Sequence, residues 1–176
     1  MSFDRSLLAT VTEIHGPVAR IVVAEVYGSA PREAGTAMLV WADGLSGTIG
    51  GGALEWQAIA AARAQIACGR ESAVQRLPLG PALGQCCGGT VTLVTEIWTA
   101  ARLAGLSDAL PGFARRVEGE AQMPLALRRS LAHARRAGTL PRPAFSHGWL
   151  IEPVATEPRA LWIWGAGHVG RAIAAV

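Results

Sequence analysis

Gly84-Gln85-Cys86-Cys87-Gly88-Gly89-Thr90-Val91-Thr92-Leu93-Val94-Thr95-Glu96-Ile97-Trp98 joins a glycine-flanked pair of thiols to the clearest strand in the chain. The run Thr90 to Trp98 is rich in β-branched residues, which suit a pleated, packed surface. Glycines on both sides of the cysteines permit unusual dihedrals and close approach of a ligand. Two adjacent cysteines are poor disulfide partners for each other, because that geometry strains the backbone. The loop therefore reads as presenting a thiolate to something small. Buried structural cysteines are the competing explanation.

Upstream of this stretch, Leu7, Leu8, Val11 and Ile14 recur at helical spacing over Asp4 to Ile14, and Gly16-Pro17 ends that helix. Arg20 to Tyr27 reads as a buried strand, and Gly28 to Gly35 as a loop. Ala37 to Ala42 is a second strand, Asp43-Gly44 a hairpin signal and Leu45 to Ile49 a short third strand. Gly50-Gly51-Gly52 opens a helix over about Ala53 to Cys68, with Gly69 as its cap. Glu71 to Leu77 reads as a strand before the cysteine loop.

Downstream, Thr99 to Gly112 is weak helix or loop, and Phe113 to Val117 a short strand. Leu125 to Ala137 reads as a helix and Gly148 to Glu152 as another strand. A linker follows near Ala155 to Arg159. The expected class is α/β or mixed α+β over residues 1–155, followed by residues 156–176 as a linker and the start of a second domain. There Leu161-Trp162-Ile163-Trp164 reads as a strand and Gly165-Ala166-Gly167-His168-Val169-Gly170 as a GxGxxG turn before a helix. That order fits the first turn of a truncated Rossmann-like domain, so Gly165, Gly167 and Gly170 are candidate dinucleotide contacts.

Composition narrows the function classes. Three cysteines among 176 residues make no disulfide framework and fit a reducing compartment. Met1 to His15 lacks the basic start and apolar core of a secretory signal, and no run approaches the roughly 18 apolar residues that span a bilayer. A cytoplasmic protein with no membrane partner is expected. All 16 basic residues are arginine, the net charge is only +3, and no nucleic-acid motif stands out, so no nucleic-acid partner is expected.

Chemistry-bearing groups collect on three glycine-rich loops. The amides of Gly50, Gly51 and Gly52 precede a helix and favour an anion such as phosphate, while a merely tight turn explains the same glycines. Glu55 in the first helical turn opposes an anion there unless it caps the helix. Ser29 and Arg32 are polar candidates on the first loop, and Arg32 can bridge to phosphate or carboxylate. Cys86 and Cys87 lack zinc-type spacing, and three cysteines cannot supply the four thiolates of an iron–sulfur cluster. A single-thiol contact to a cofactor metal, or a sulfur relay, remains. Arg128, Arg129, Arg135 and Arg136 form a basic stripe on one helix, read either as a solvated face or as a dock for an acidic partner.

Taken together the loops resemble the XdhC/CoxI family, accessory proteins of xanthine dehydrogenase and related molybdenum hydroxylases. The resemblance rests on Gly28-Ser29-Ala30-Pro31-Arg32 with Gly35 and Met38, on Gly47-Thr48-Ile49-Gly50-Gly51-Gly52 with Glu55, and on Gly84-Gln85-Cys86-Cys87-Gly88-Gly89. It implies a molybdenum cofactor (Mo-molybdopterin) chaperone rather than an enzyme. Such a protein would protect the cofactor, support exchange of an oxo ligand for sulfur with a cysteine desulfurase, and insert the cofactor into the hydroxylase. Gln85, Cys86 and Cys87 become contacts to the metal end, with the choice between the two thiols open. Gly50, Gly51, Gly52, Arg32 and Ser29 become candidates for the phosphate end. A homodimer is compatible with this reading. The alternative function is a nicotinamide-dinucleotide-dependent oxidoreductase, resting on Gly165 to Gly170 alone.

Overall fold

The computed structural model describes residues 2–80, 88–106, 112–119, 122–155, 162–165 and 167–174. The expected mixed α+β class is observed, with antiparallel pairing throughout both sheets. The first sheet contains β1 (Val18–Tyr27), β2 (Ala37–Val40), β3 (Leu45–Gly47), β4 (Ser72–Pro78) and β5 (Thr90–Trp98), in the order β3-β2-β1-β5-β4. The second contains β6 (Gly112–Arg116), β7 (Ala144–Ser146) and β8 (Trp149–Pro153), in the order β6-β8-β7.

Both faces of the first sheet are covered, which explains why β1 is almost wholly apolar rather than alternating. On one face α2 (Gly52–Cys68) packs Leu54, Ala58, Ile59 and Ala62 against Ala19, Ile21, Val23 and Leu93. On the other, α1 (Arg5–His15) and α3 (Ala100–Ala104) bury Leu8 and Leu103 with Phe3, Val18, Leu39 and Trp98. The second sheet shares that face through Ala24, Val94, Val117 and Leu150. Its outer side is closed by α4 (Leu125–Ala137), whose Leu127 and Leu131 meet Ile151.

Local chemistry sets the helix ends. Asp4 Oδ1 accepts from the Leu7 amide at 2.8 Å and starts α1, and Gly16 ends it at φ 76°. Gly69 and Gly138 are left-handed caps of α2 and α4.

Between the sheets lies a charged cluster that the sequence reading missed. Arg20 donates to both oxygens of Glu152 at 2.8 and 2.7 Å. Arg115 bridges Glu152, at 2.6 Å, to Glu96, at 2.5 Å. Arg102 reaches Glu96 from the rim at 3.2 Å. Burial pushes the Glu152 carboxyl up, but Arg20 and Arg115 outweigh it and hold the group down at about 2. The same carboxylates raise the Arg115 guanidinium against a burial effect of opposite sign. Aromatic rings line the cluster, with Arg115 4.6 Å from the Phe113 centroid and Arg102 4.2 Å from that of Trp98. Breaking such a pair is far costlier than never having built it.

Three elements depart from expectation by more than a shift of one or two residues. The strand β7, only three residues long, has no counterpart among the elements expected from the sequence. The expected strand over Leu161 to Trp164 is not formed at residues 162–164, where no pairing strand is present among the described residues. The following helix, α5, runs His168–Ala174 and so starts three residues earlier than expected.

Candidate functional site at the glycine end of the sheet

Strand direction decides where the loops fall. Tyr27 at the end of β1 lies opposite Thr90 at the start of β5, which in turn faces Pro78 at the end of β4. Gly47 at the end of β3 pairs with Met38, beside the start of β2. Three connections therefore emerge at one end of the sheet: residues 28–36, residues 48–51, and the turn that joins β4 to β5.

They are in contact as well as adjacent. The first loop is tied at its return by the Val23 amide to Thr36 O and the Gly35 amide to Val23 O, both at 2.8 Å. The Gly89 amide donates to Ser29 O at 3.1 Å, and the Leu79 amide to Gly89 O at 2.8 Å. A Cβ at Gly89 would collide with the carbonyl oxygens of Ser29 and Tyr27, so the first loop lies directly on the base of the cysteine loop. On its other side the first loop touches the glycine triplet. A Cβ at Gly50 would stand 2.6 Å from Pro31 Cγ and 3.6 Å from Arg32 Cγ. The loop from Gly28 to Thr36 walls a shallow depression of about 550 Å³.

The triplet itself holds a resident anion. Glu55 Oε2 accepts from Thr48 Oγ1 at 2.5 Å, from the Ile49 amide at 2.9 Å and from the Gly51 amide at 3.1 Å. Thr48 Oγ1 also accepts from the Gly50 amide at 3.1 Å. Burial pushes the Glu55 carboxyl up, but these hydrogen bonds outweigh it and hold the group below the usual carboxylate range. The amides of Ile49 and Gly51 are thus filled, and a phosphate there would have to displace a carboxylate. Glu55 caps the turn, the alternative its position in the sequence left open.

Other candidates separate clearly. Ser29 and Arg32 are exposed on the first loop, and Arg32 makes no ion pair among the described residues. Gln85, Cys86 and Cys87 lie outside the described residues. Cys68 is exposed in the last turn of α2. Gly165 takes φ 103°, and a Cβ on Gly170 would meet Gly165 O at 2.6 Å, so those two glycines pack within one turn. Gly167 is exposed and its carbonyl accepts from the Arg171 amide at 3.1 Å. Among the described residues no three His, Cys, Asp or Glu side chains gather as a metal site, and no helix is long and apolar enough to cross a membrane. Thr48 was missed as a site residue. Its only signal was a hydroxyl just before the glycine triplet, seven residues ahead of Glu55.

Residues 12–77 match the model of the XdhC and CoxI family, a span that holds the first two glycine loops and ends before Cys86 and Cys87. The resemblance read from the motifs is thereby borne out. No curated protein matches the chain. Among solved structures, the crystal structure of a xanthine dehydrogenase from Bacillus halodurans is similar at 18% identity and a TM-score of 0.52. That likeness covers 94% of this chain and 46% of the other, so this chain spans about half of its length. At such identity the likeness is one of fold.

Proposed function

From a chain that carries the XdhC and CoxI pattern, we propose that the glycine end of the first sheet binds the molybdenum cofactor as cargo. The protein shields it in the cytoplasm, supports its sulfuration beside a cysteine desulfurase, and delivers it to xanthine dehydrogenase or a related hydroxylase. It turns over no substrate of its own. The observation that carries this reading is the contact of all three glycine-rich connections at one end of the sheet, with Arg32 unpaired among the described residues.

Each loop then has a chemical part. Arg32, with the Ser29 hydroxyl beside it, takes the phosphate end by charge-assisted hydrogen bonds. Gly50, Gly51 and Gly52 act one step back: lacking a side chain, Gly50 lets Pro31 and Arg32 sit close, while Glu55 fixes the turn. The loop with Gln85, Cys86 and Cys87 takes the metal end, because a thiolate is the soft ligand in that set. Gly89, at the base of that loop, lies against Ser29.

The test is pterin content after incubation with released cofactor, read by fluorescence after oxidation. The whole chain should bind about one equivalent, and Arg32→Ala should lose about 10- to 150-fold in affinity, as for a charge-assisted contact of about 1.5–3 kcal/mol. Equal binding by Arg32→Ala would remove the phosphate assignment, and no binding by the parent chain would sink the cargo reading.

A second reading, a nicotinamide-dinucleotide-dependent oxidoreductase, is favoured only by the packing of Gly170 on Gly165 ahead of α5. Oxidation of reduced nicotinamide cofactor by the protein would support it.

A further inference from the structure

Charge is strongly segregated along this chain. Between Glu120 and Glu152 there is no acidic residue, yet Arg128, Arg129, Arg135, Arg136 and Arg142 fall in that interval. The remaining eleven arginines face thirteen acids, so the net +3 of the chain is a +5 segment on a body of −2. All five arginines are exposed, and none forms an ion pair among the described residues.

Four of the five stand on α4, whose buried side is Leu127, Leu131 and Ala134. At about 100° per residue, Arg128 and Arg135 form one row and Arg129 and Arg136 a second, each spanning about 10 Å. Leu125, itself 57% exposed, and Ala132 lie between the rows. The face is therefore a low apolar strip with an arginine fork on either side. Its apolar counterpart is already buried in the protein, so the helix has no second face with which to enter a lipid surface.

Helix stability does not account for this arrangement. The first turn holds no acid, and Pro124 at the N-cap makes no side-chain cap bond. Arg128 and Arg129 sit near the end of the helix where the dipole disfavours cations. Only Arg135 and Arg136, in the last turn, are favourably placed. A local rule broken without local compensation marks a position held for another purpose.

We propose that the exposed face of α4 docks an acidic protein surface, and that the surface belongs to the hydroxylase that accepts the cargo. This rests on the delivery role proposed above. Paired arginine forks at helical spacing match carboxylates one to two helical turns apart. The strip of Leu125 and Ala132 allows a protein surface to approach between them, and α4 carries no Phe, Tyr or Trp to serve as a base-stacking platform.

The experiment measures binding of the whole chain to the cofactor-free hydroxylase of the same organism, across a salt series. The variants are Arg128→Glu/Arg135→Glu and Arg128→Gln/Arg135→Gln, with circular dichroism and cargo content recorded for each. Binding should weaken steeply with salt, and the reversed pair should lose more than about tenfold in affinity with the neutral pair between. Cargo content should be unchanged, because α4 packs on the second sheet whereas the glycine loops belong to the first. Equal hydroxylase binding by all three proteins would overturn the docking proposal while leaving the delivery role standing. Absence of hydroxylase binding by the parent chain would refute both the partner and the docking face, and its cargo content would then judge the binding role alone. Tighter binding of a single-stranded RNA oligonucleotide, lost in the reversed pair, would also overturn the proposal.

Discussion

Gly50→Ala tests whether the first loop is positioned by the glycine triplet. Gly50 takes φ 126°, where a side chain is strained, and its added Cβ would stand 2.6 and 2.8 Å from Pro31 Cγ and Cβ. Carbon atoms pack at about 3.5–4.0 Å, so a gap of about 1 Å must open. Pro31 is a ring fixed to the backbone and cannot swing aside, so the loop must move. The dihedral costs about 1–3 kcal/mol and the overpacking about 1–3 kcal/mol more. Gly51→Ala is the control, because Gly51 takes φ 77° with nothing within 4 Å of its added Cβ. Urea unfolding should therefore place Gly50→Ala below Gly51→Ala by the steric cost alone, about 1–3 kcal/mol. For a chain of this size that is a difference in Tm of about 2–12 °C. Shrinking the neighbour should relieve the clash, so Gly50→Ala with Pro31→Ala should show a coupling of at least about 1 kcal/mol. Equal destabilisation by the two alanines, with no coupling to Pro31, would refute the reasoning.

Glu55→Ala leaves the Thr48 hydroxyl and two amides without their acceptor and should destabilise by about 2–3 kcal/mol in urea titration, with Glu55→Gln less damaging because one carbonyl oxygen can replace Oε2. Glu152→Ala strands Arg20 in the interior, leaves Arg115 with Glu96 alone and should cost about 3–5 kcal/mol, measured the same way. Because the folded pKa of Glu152 lies at about 2, below its unfolded value, its stabilisation is full above about pH 5 and is lost as pH falls toward 2. Unfolding at pH 7, 4 and 3 should show a loss that reaches about 2 kcal/mol by pH 3, flattened in Glu152→Gln. Glu55, also held below its usual range, adds with the same sign. Gly89→Ala should displace Ser29 and lower cargo binding as well as stability, read by pterin fluorescence beside a melting curve.

Much of the fold was legible because strong local signals agreed. Leu125 to Ala137 was read to the residue, since a run at helical spacing ends on Gly138 and Pro141. The strands around Ile21 to Val26 and Thr90 to Trp98 carried β-branched density that only a sheet covered on both faces uses fully. What pattern cannot give is pairing between distant segments. Arg20, Glu96, Arg115 and Glu152 each looked like a charge at a strand position, and only the stacking of two sheets makes them one cluster. A charge inside an otherwise apolar strand, as in Leu93-Val94-Thr95-Glu96-Ile97, was the available signal. The strand expected at Leu161 to Trp164 failed for a related reason: apolar sequence makes a strand only where a neighbour supplies hydrogen bonds. At the candidate site, the three loops were each visible in the sequence, but their contact follows from strand direction. Glu55 was weighed correctly as a cap, and its hold on the Ile49 and Gly51 amides moves the phosphate assignment toward Arg32.

Molybdenum stoichiometry of the whole protein, after incubation with released cofactor, bears most directly on the cargo role. It should be measured by elemental analysis for the parent chain, Cys86→Ala and Cys87→Ala. One metal per chain, lost in one of the two variants with pterin binding weakened, is the predicted result and names the contacting thiol. Molybdenum retained in both variants would contradict a thiol contact at the metal end. A parent chain that takes up neither metal nor pterin would contradict the cargo role itself.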